Sequence, residues 1–164
     1  MQINLMGVIY GSTAAYAVML KQGSGHIINT SSQAGLLTVF GSSAYGVAKH
    51  GVVGLSRSLR AEGAGLGVKV SVLCPGGINT NIVEKATILN WDRKEFLKLI
   101  NWGQMSPSKA ADIILKKVYK NKGIITVTKG AYVMWLLNRL SPFLGDKITE
   151  FSAWGLRRTL RKNE

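Results

Sequence analysis

Residues 26–51 read HIINTSSQAGLLTVFGSSAYGVAKHG. The stretch opens with a short β-branched run that ends in the hydroxyls of Thr30, Ser31 and Ser32. It closes with Tyr45 and Lys49, which in a helix lie on one face, one turn apart. Between them, QAGLLTVFGS reads as a loop. The spacing therefore predicts a buried strand ending at Thr30–Ser32, a loop, and a long helix from about Ser43 that glycines stop after residue 62. Small residues at 44, 46, 48, 51 and 54 let another backbone or helix come close to that helix.

Working outward, residues 4–21 carry apolar residues at helical spacing (Leu5, Val8, Ile9, Ala15, Val18, Met19) and stop at QGSG. Downstream, VKVSVLCP at 68–75 is a second buried strand, cut by Pro75. Residues 81–105 read as a mostly helical insert. Ser106-Pro107 is an N-cap followed by proline at the first helical position, and Gly123 ends the helix that follows. IITVT at 124–128 is a third strand, and 130–164 reads as helical. Helices alternating with buried strands predict an α/β fold with a parallel, doubly wound sheet. In such sheets ligands bind beyond the carboxyl ends of the strands. Those ends are Ser31–Ser32 and Pro75–Thr80, and the Tyr45 helix starts between them.

Composition narrows the class. The chain has 164 residues, 46% of them apolar, enough for one domain with a real core. Cys74 is the single cysteine, so no internal disulfide forms; it reads as core, and a reducing compartment suits it. No uninterrupted run of 18 apolar residues occurs, so no spanning helix is expected. MQINLMG has no basic leader and does not read as a signal peptide. The net charge is +13, and residues 101–164 hold twelve of the 21 basic residues. Such a surface seeks phosphates or anionic lipid, or is simply solvated. No nucleic-acid recognition motif accompanies it, and no nucleic-acid partner is expected. His26 and His50 lack partners at ligand spacing, so no metal site is expected.

A Tyr–Lys pair alone is weak: five Tyr and fourteen Lys in 164 residues yield roughly 0.4 such pairs by chance. Its company is not weak. Ser32 lies 13 residues before Tyr45, Asn4 lies 28 before Ser32, and PGGINT at 75–80 follows the next strand. Together NLMG, INTSSQAG, SAYGVAKHG and PGGINT resemble the short-chain dehydrogenase/reductase family in order and spacing, over residues 1 to about 130. The resemblance implies a partial Rossmann-like sheet, the last three of the family's seven strands, with flanking helices and a helical C-terminal tail. It implies NAD or NADP as cofactor and interconversion of a secondary alcohol and a carbonyl. Tyr45 is then the acid/base and Lys49 its helper, which also holds the nicotinamide ribose. Ser32 orients the substrate oxygen, with Ser31 beside it as a rival that the spacing disfavours. Asn4 anchors a water relay, or is only a helix cap. Pro75, Gly76, Ile78 and Thr80 hold the nicotinamide end, although Thr80 also suits a cap. The chemistry is coherent. A free tyrosine titrates near pH 10, so work at neutrality asks for roughly 4 kcal/mol of differential stabilisation. Cations beside the phenolate supply stabilisation of that sign.

One family feature is absent: the glycine-rich turn after a first strand that cradles the pyrophosphate. GSGHII at 23–28 is not it, because the strand follows the glycines. The expectation is an incomplete copy of an oxidoreductase that starts at an internal Met, with strand 26–30 at an exposed sheet edge. Residues 1–130 would form the catalytic part and 131–164 a basic amphipathic extension. The substrate loop falls at 81–105, where Ile82, Val83, Ile88, Leu89, Trp91, Phe96, Leu97, Ile100 and Trp102 suit either a lid over a hydrophobic, lipid-like alcohol or ketone, or a helix pair covering the sheet. In the tail, Ile148, Phe151, Trp154, Leu156 and Leu160 alternate with Arg157, Arg158, Arg161 and Lys162, which suits an anionic membrane surface or an oligomer contact. Helices 4–21 and 44–62 match the family's dimer surfaces, so a homo-oligomer is expected. The expected location is cytoplasmic, with association at a membrane surface. The rival reading is a catalytically silent fragment serving as a dimerisation or membrane-surface module.

Overall fold

The β-branched runs form three strands in the computed structural model, which describes residues 1–82, 91–101 and 104–160. Strands β1 (Gly25–Thr30), β2 (Val68–Cys74) and β3 (Ile124–Thr126) pair in parallel in the order β1-β2-β3. Ile27 stands opposite Val70, Thr30 opposite Leu73 and Cys74 opposite Thr126. The α/β, parallel-sheet expectation holds, and among the described residues β1 has one unpaired edge, as its place in the sheet required.

Helix α1 (Gly7–Gln22) precedes β1, and α2 (Ser43–Glu62) carries the chain from β1 to β2. Both lie on one face of the sheet. Ile27, Leu59 and Val70 form a buried cluster against Ala15, Tyr16 and Met19 of α1 and Leu55 of α2. A second cluster joins Val52 and Val53 of α2 to Leu36, Val72 and Cys74, so the cysteine is core as expected. Helix α2 buries Lys49, Val52, Val53, Ser56 and Leu59, the stripe that a 3.6-residue period lays on one face. Polar groups tie the same layers. Ser12 donates to Asn29 (3.0 Å), Asn29 to Ser56 (3.0 Å) and Ser56 to the Val52 carbonyl (2.7 Å), linking α1, β1 and α2.

Several boundaries differ from the sequence reading. The first helix begins as a wider π-helical turn, Gln2–Met6, which sets Leu5 against Gly51 of α2. By length and composition Gln2–Gln22 is apolar enough to cross a membrane. The uninterrupted-run criterion missed it because glycine, serine and threonine break the run without making it polar. In this fold the helix lies on β1 and α2. Within the expected 33–42 loop, residues 33–35 form a 3-10 turn capped by Ser32. Helix α3 (Arg93–Asn101) lies in the insert, and Trp91 stacks with Phe40 and Phe96 at 5.0 and 5.4 Å between ring centroids. Val83, Ile88, Leu89, Trp102 and the side chain of Ile100 lie outside the described residues.

Helix α4 (Pro107–Tyr119) stops before Gly123 because Asn121 takes the left-handed conformation, φ 51°. Strand β3 ends at Thr126 rather than 128, since the Thr128 hydroxyl caps the next helix by accepting from Ala131 N at 3.1 Å. Pro142 splits the tail into α5 (Lys129–Leu140) and α6 (Pro142–Leu160). Helix α5 crosses the expected 130/131 boundary and packs Trp135 onto the second core cluster. Arg161, Lys162 and the side chain of Leu160 lie outside the described residues.

Candidate active site

Tyr45 and Lys49 stand in the first two turns of α2, at the carboxyl end of β1. The Lys49 ammonium lies 5.5 Å from the centre of the Tyr45 ring. The tyrosine is 38% exposed and the lysine only 9%, so the ring is open to solvent while its neighbouring charge is buried. Burial pushes the Lys49 ammonium below its ordinary titration range. Its amine donates to the Thr30 carbonyl at a long 3.4 Å. An ammonium carries three donors, so further acceptors can be taken up, which fits a pair of ribose hydroxyls.

The two adjacent serines have different duties. Ser31 is buried and donates to the Lys49 carbonyl at 2.8 Å, holding α2 to the end of β1. Ser32 is half-buried, and its oxygen accepts from Ala34 N at 3.2 Å. Ser32 thus keeps its O–H proton to donate, while the Ser31 proton is committed to the scaffold. Gly35 is required here: a Cβ would press on the Ser31 hydroxyl and reach 2.6 Å from the Lys49 carbonyl oxygen.

The end of β2 is stitched to the same place. Gln33 N donates to the Pro75 carbonyl at 2.8 Å, and a Cβ on Gly76 would come within 2.8 Å of the Gln33 side-chain oxygen. Ser32, Tyr45, Lys49, Pro75 and Gly76 therefore gather around the carboxyl ends of β1 and β2. Ile78 leads away and pairs with Met105. Thr80 lies exposed in a bend beyond it, and the stretch 83–90, where a helix for it to cap would start, lies outside the described residues. Asn4 is exposed on the π-helical turn, next to Leu5, which packs on Gly51 of α2. Sequence reasoning gave no part to Gln33 or Gly35. Their signal was only adjacency to Ser32, because what they touch is fixed by long-range packing.

The remaining candidates are structural. Ser71 donates to the Lys122 carbonyl, so its oxygen accepts from His26 Nε2 at 2.8 Å. Burial, then the charges of Lys69 and Arg60, hold His26 below its ordinary range. His50 Nδ1 donates to the Gly46 carbonyl at 3.0 Å. Burial pushes the Cys74 thiol up to about 12. Among the described residues no group of three His, Cys, Asp or Glu is placed to hold a metal. A small cavity of about 80 Å³ lies beside the loop that follows Ser32, lined by Leu37, Met134, Leu137, Leu144 and Ile148. A larger open groove lined by Arg60, Gly65 and Lys69 lies at the opposite, amino end of β2.

The model for short chain dehydrogenases matches residues 1–91. The chain belongs to the short-chain dehydrogenase/reductase family. Levodione reductase of Leifsonia aquatica, a relative in this oxidoreductase family, is 40% identical over 84 residues, which cover 51% of this chain and 32% of that protein. Human 15-hydroxyprostaglandin dehydrogenase [NAD(+)] is 44% identical over 89 residues, 51% of this chain and 34% of that protein. A crystal structure of a family member from Burkholderia phymatum in complex with NAD superposes with a TM-score of 0.72 at 25% identity, covering 86% of this chain and 56% of that one. The chain thus aligns with only part of the length of each relative. The family places the parallel three-stranded sheet within a Rossmann-like fold.

Proposed function

We propose that this chain carries the catalytic apparatus of an NAD(P)-dependent oxidoreductase that interconverts a secondary alcohol and a carbonyl on a hydrophobic, lipid-like molecule. The observation that carries the reading is the buried Lys49 ammonium beneath the exposed Tyr45 ring, at the strand ends where Ser32 keeps a free donor. A nicotinamide dinucleotide, when bound, supplies or accepts the hydride. In the reducing direction the Ser32 hydroxyl holds the carbonyl oxygen, and the Tyr45 hydroxyl delivers the proton to it. The Lys49 charge stabilises the phenolate left behind and its free donors hold the nicotinamide ribose. Asn4 anchors the water that returns the proton to Tyr45. The backbone of Pro75, Gly76 and Ile78, with the Thr80 hydroxyl, holds the nicotinamide end. Support for the cofactor class comes from the NAD-bound relative, and support for an apolar substrate from the Leu37–Ile148 cavity.

The partners under this reading are a small hydrophobic alcohol or ketone and a second copy of the chain, joined through helices 4–21 and 44–62 in a cytoplasmic setting. Exposed Tyr10, Val18 and Val47 on the outer faces of α1 and α2 favour the oligomer. They equally serve the rival, a catalytically silent dimerisation module. Assay with NADH and NADPH against ketones graded in apolar size separates the two. The expected result is turnover with one cofactor and kcat/KM rising with apolar size. Self-association without turnover on any ketone, with either cofactor, selects the silent module.

A further inference from the structure

We infer that the outer face of the α5–α6 pair docks on an anionic lipid bilayer. On α6, Phe143, Lys147, Phe151, Trp154 and Arg158 succeed one another at steps of three and four and form one stripe. Phe143 and Phe151 are each 74% exposed. Lys147 Nζ sits 6.0 Å from the Phe143 ring and the Arg158 guanidinium 4.6 Å from the Trp154 ring, so cations and rings are interleaved along the stripe. The opposite face, with Gly145, Thr149, Ala153 and Leu156, is half-buried. On α5, Val133, Leu136 and Leu140 form a second exposed apolar stripe. Leu140 and Phe143, each 74% exposed, flank the Ser141–Pro142 turn between the two helices.

Charge decides the occupant. Between residues 129 and 160 stand Lys129, Arg139, Lys147, Arg157 and Arg158 against Asp146 and Glu150. Rings that sink to headgroup depth, with long cations reaching lipid phosphates and carboxylates, match an interfacial helix on an acidic leaflet. A second copy fits poorly, because a two-fold contact sets this cationic stripe against itself. The inference does not depend on the oxidoreductase reading, since the stripe needs neither Tyr45 nor a cofactor.

The test uses the full chain with vesicles of phosphatidylcholine alone or mixed with phosphatidylserine, read by co-sedimentation and by quenching of tryptophan emission by brominated acyl chains. Binding to the phosphatidylserine vesicles, weakened by salt, is expected. The double variant Lys147→Glu, Arg158→Glu changes exposed side chains only. It should weaken that binding about tenfold or more, while the melting temperature moves only by the small worth of the exposed Lys147–Glu150 ion pair that is given up. Trp154→Phe should retain binding and lose most of the bromine-dependent quenching. Equal binding to both vesicle types, no binding to either, or unchanged binding of the charge-reversed variant overturns the inference. So does self-association that Phe151→Ser abolishes in a chain that binds no vesicles.

Discussion

Lys49 holds a positive charge where water barely reaches it, and that position has a measurable cost. Its folded-state titration lies below the ordinary value of 10.5, with burial as the cause. Between the lowered value and 10.5 the unfolded chain binds more protons than the folded one, so stability rises with pH across that window. The penalty is present in full below the lowered value. In the cofactor-free chain the melting temperature, compared with that of Lys49→Met, should climb as pH rises through that window toward 10.5. A constant difference between the two proteins contradicts the buried charge. The Tyr45–Lys49 pair was legible because a four-residue spacing fixes a shared helix face before any tertiary contact forms. The division of labour between Ser31 and Ser32 was not. Spacing favoured Ser32, but only packing shows that the Ser31 proton is spent on the Lys49 carbonyl.

Elements are locked together by polar ties that no periodicity announces. Arg60, in the last turn of α2, donates to the Val70 carbonyl at 2.7 Å, the Asn121 side-chain oxygen at 2.8 Å and the Asn121 carbonyl at 2.9 Å. The fork joins α2, β2 and the turn before β3, and it holds Asn121 in the left-handed conformation that ends α4. A lysine cannot reproduce this geometry. Arg60→Lys should lose about 2 kcal/mol of stability in urea unfolding, the scale of charge-assisted hydrogen bonds. An unchanged urea midpoint removes the fork from the account. Strand and helix identity were readable because apolar period and β-branching are local signals, whereas the side-by-side placing of the three strands was implied only by the family resemblance. The ends of α4 and β3 were not readable, since Asn121 and Thr128 act through partners that sequence spacing does not reveal.

For the whole molecule, the parallel sheet with α1 and α2 on one face leaves several surfaces in need of company, among them the open edges of β1 and β3 and the outer faces of α1 and α2. Sedimentation velocity should therefore show concentration-dependent self-association, reduced by Val18→Lys with Val47→Lys. A monomer at all concentrations contradicts the oligomer. The central claim concerns the site these layers position. Its most direct test is the rate of NAD(P)H-dependent reduction of a hydrophobic ketone by the native chain and by Tyr45→Phe. The account predicts a loss of about 10²–10⁴-fold in kcat with cofactor binding and melting temperature preserved. Full turnover by Tyr45→Phe would contradict it.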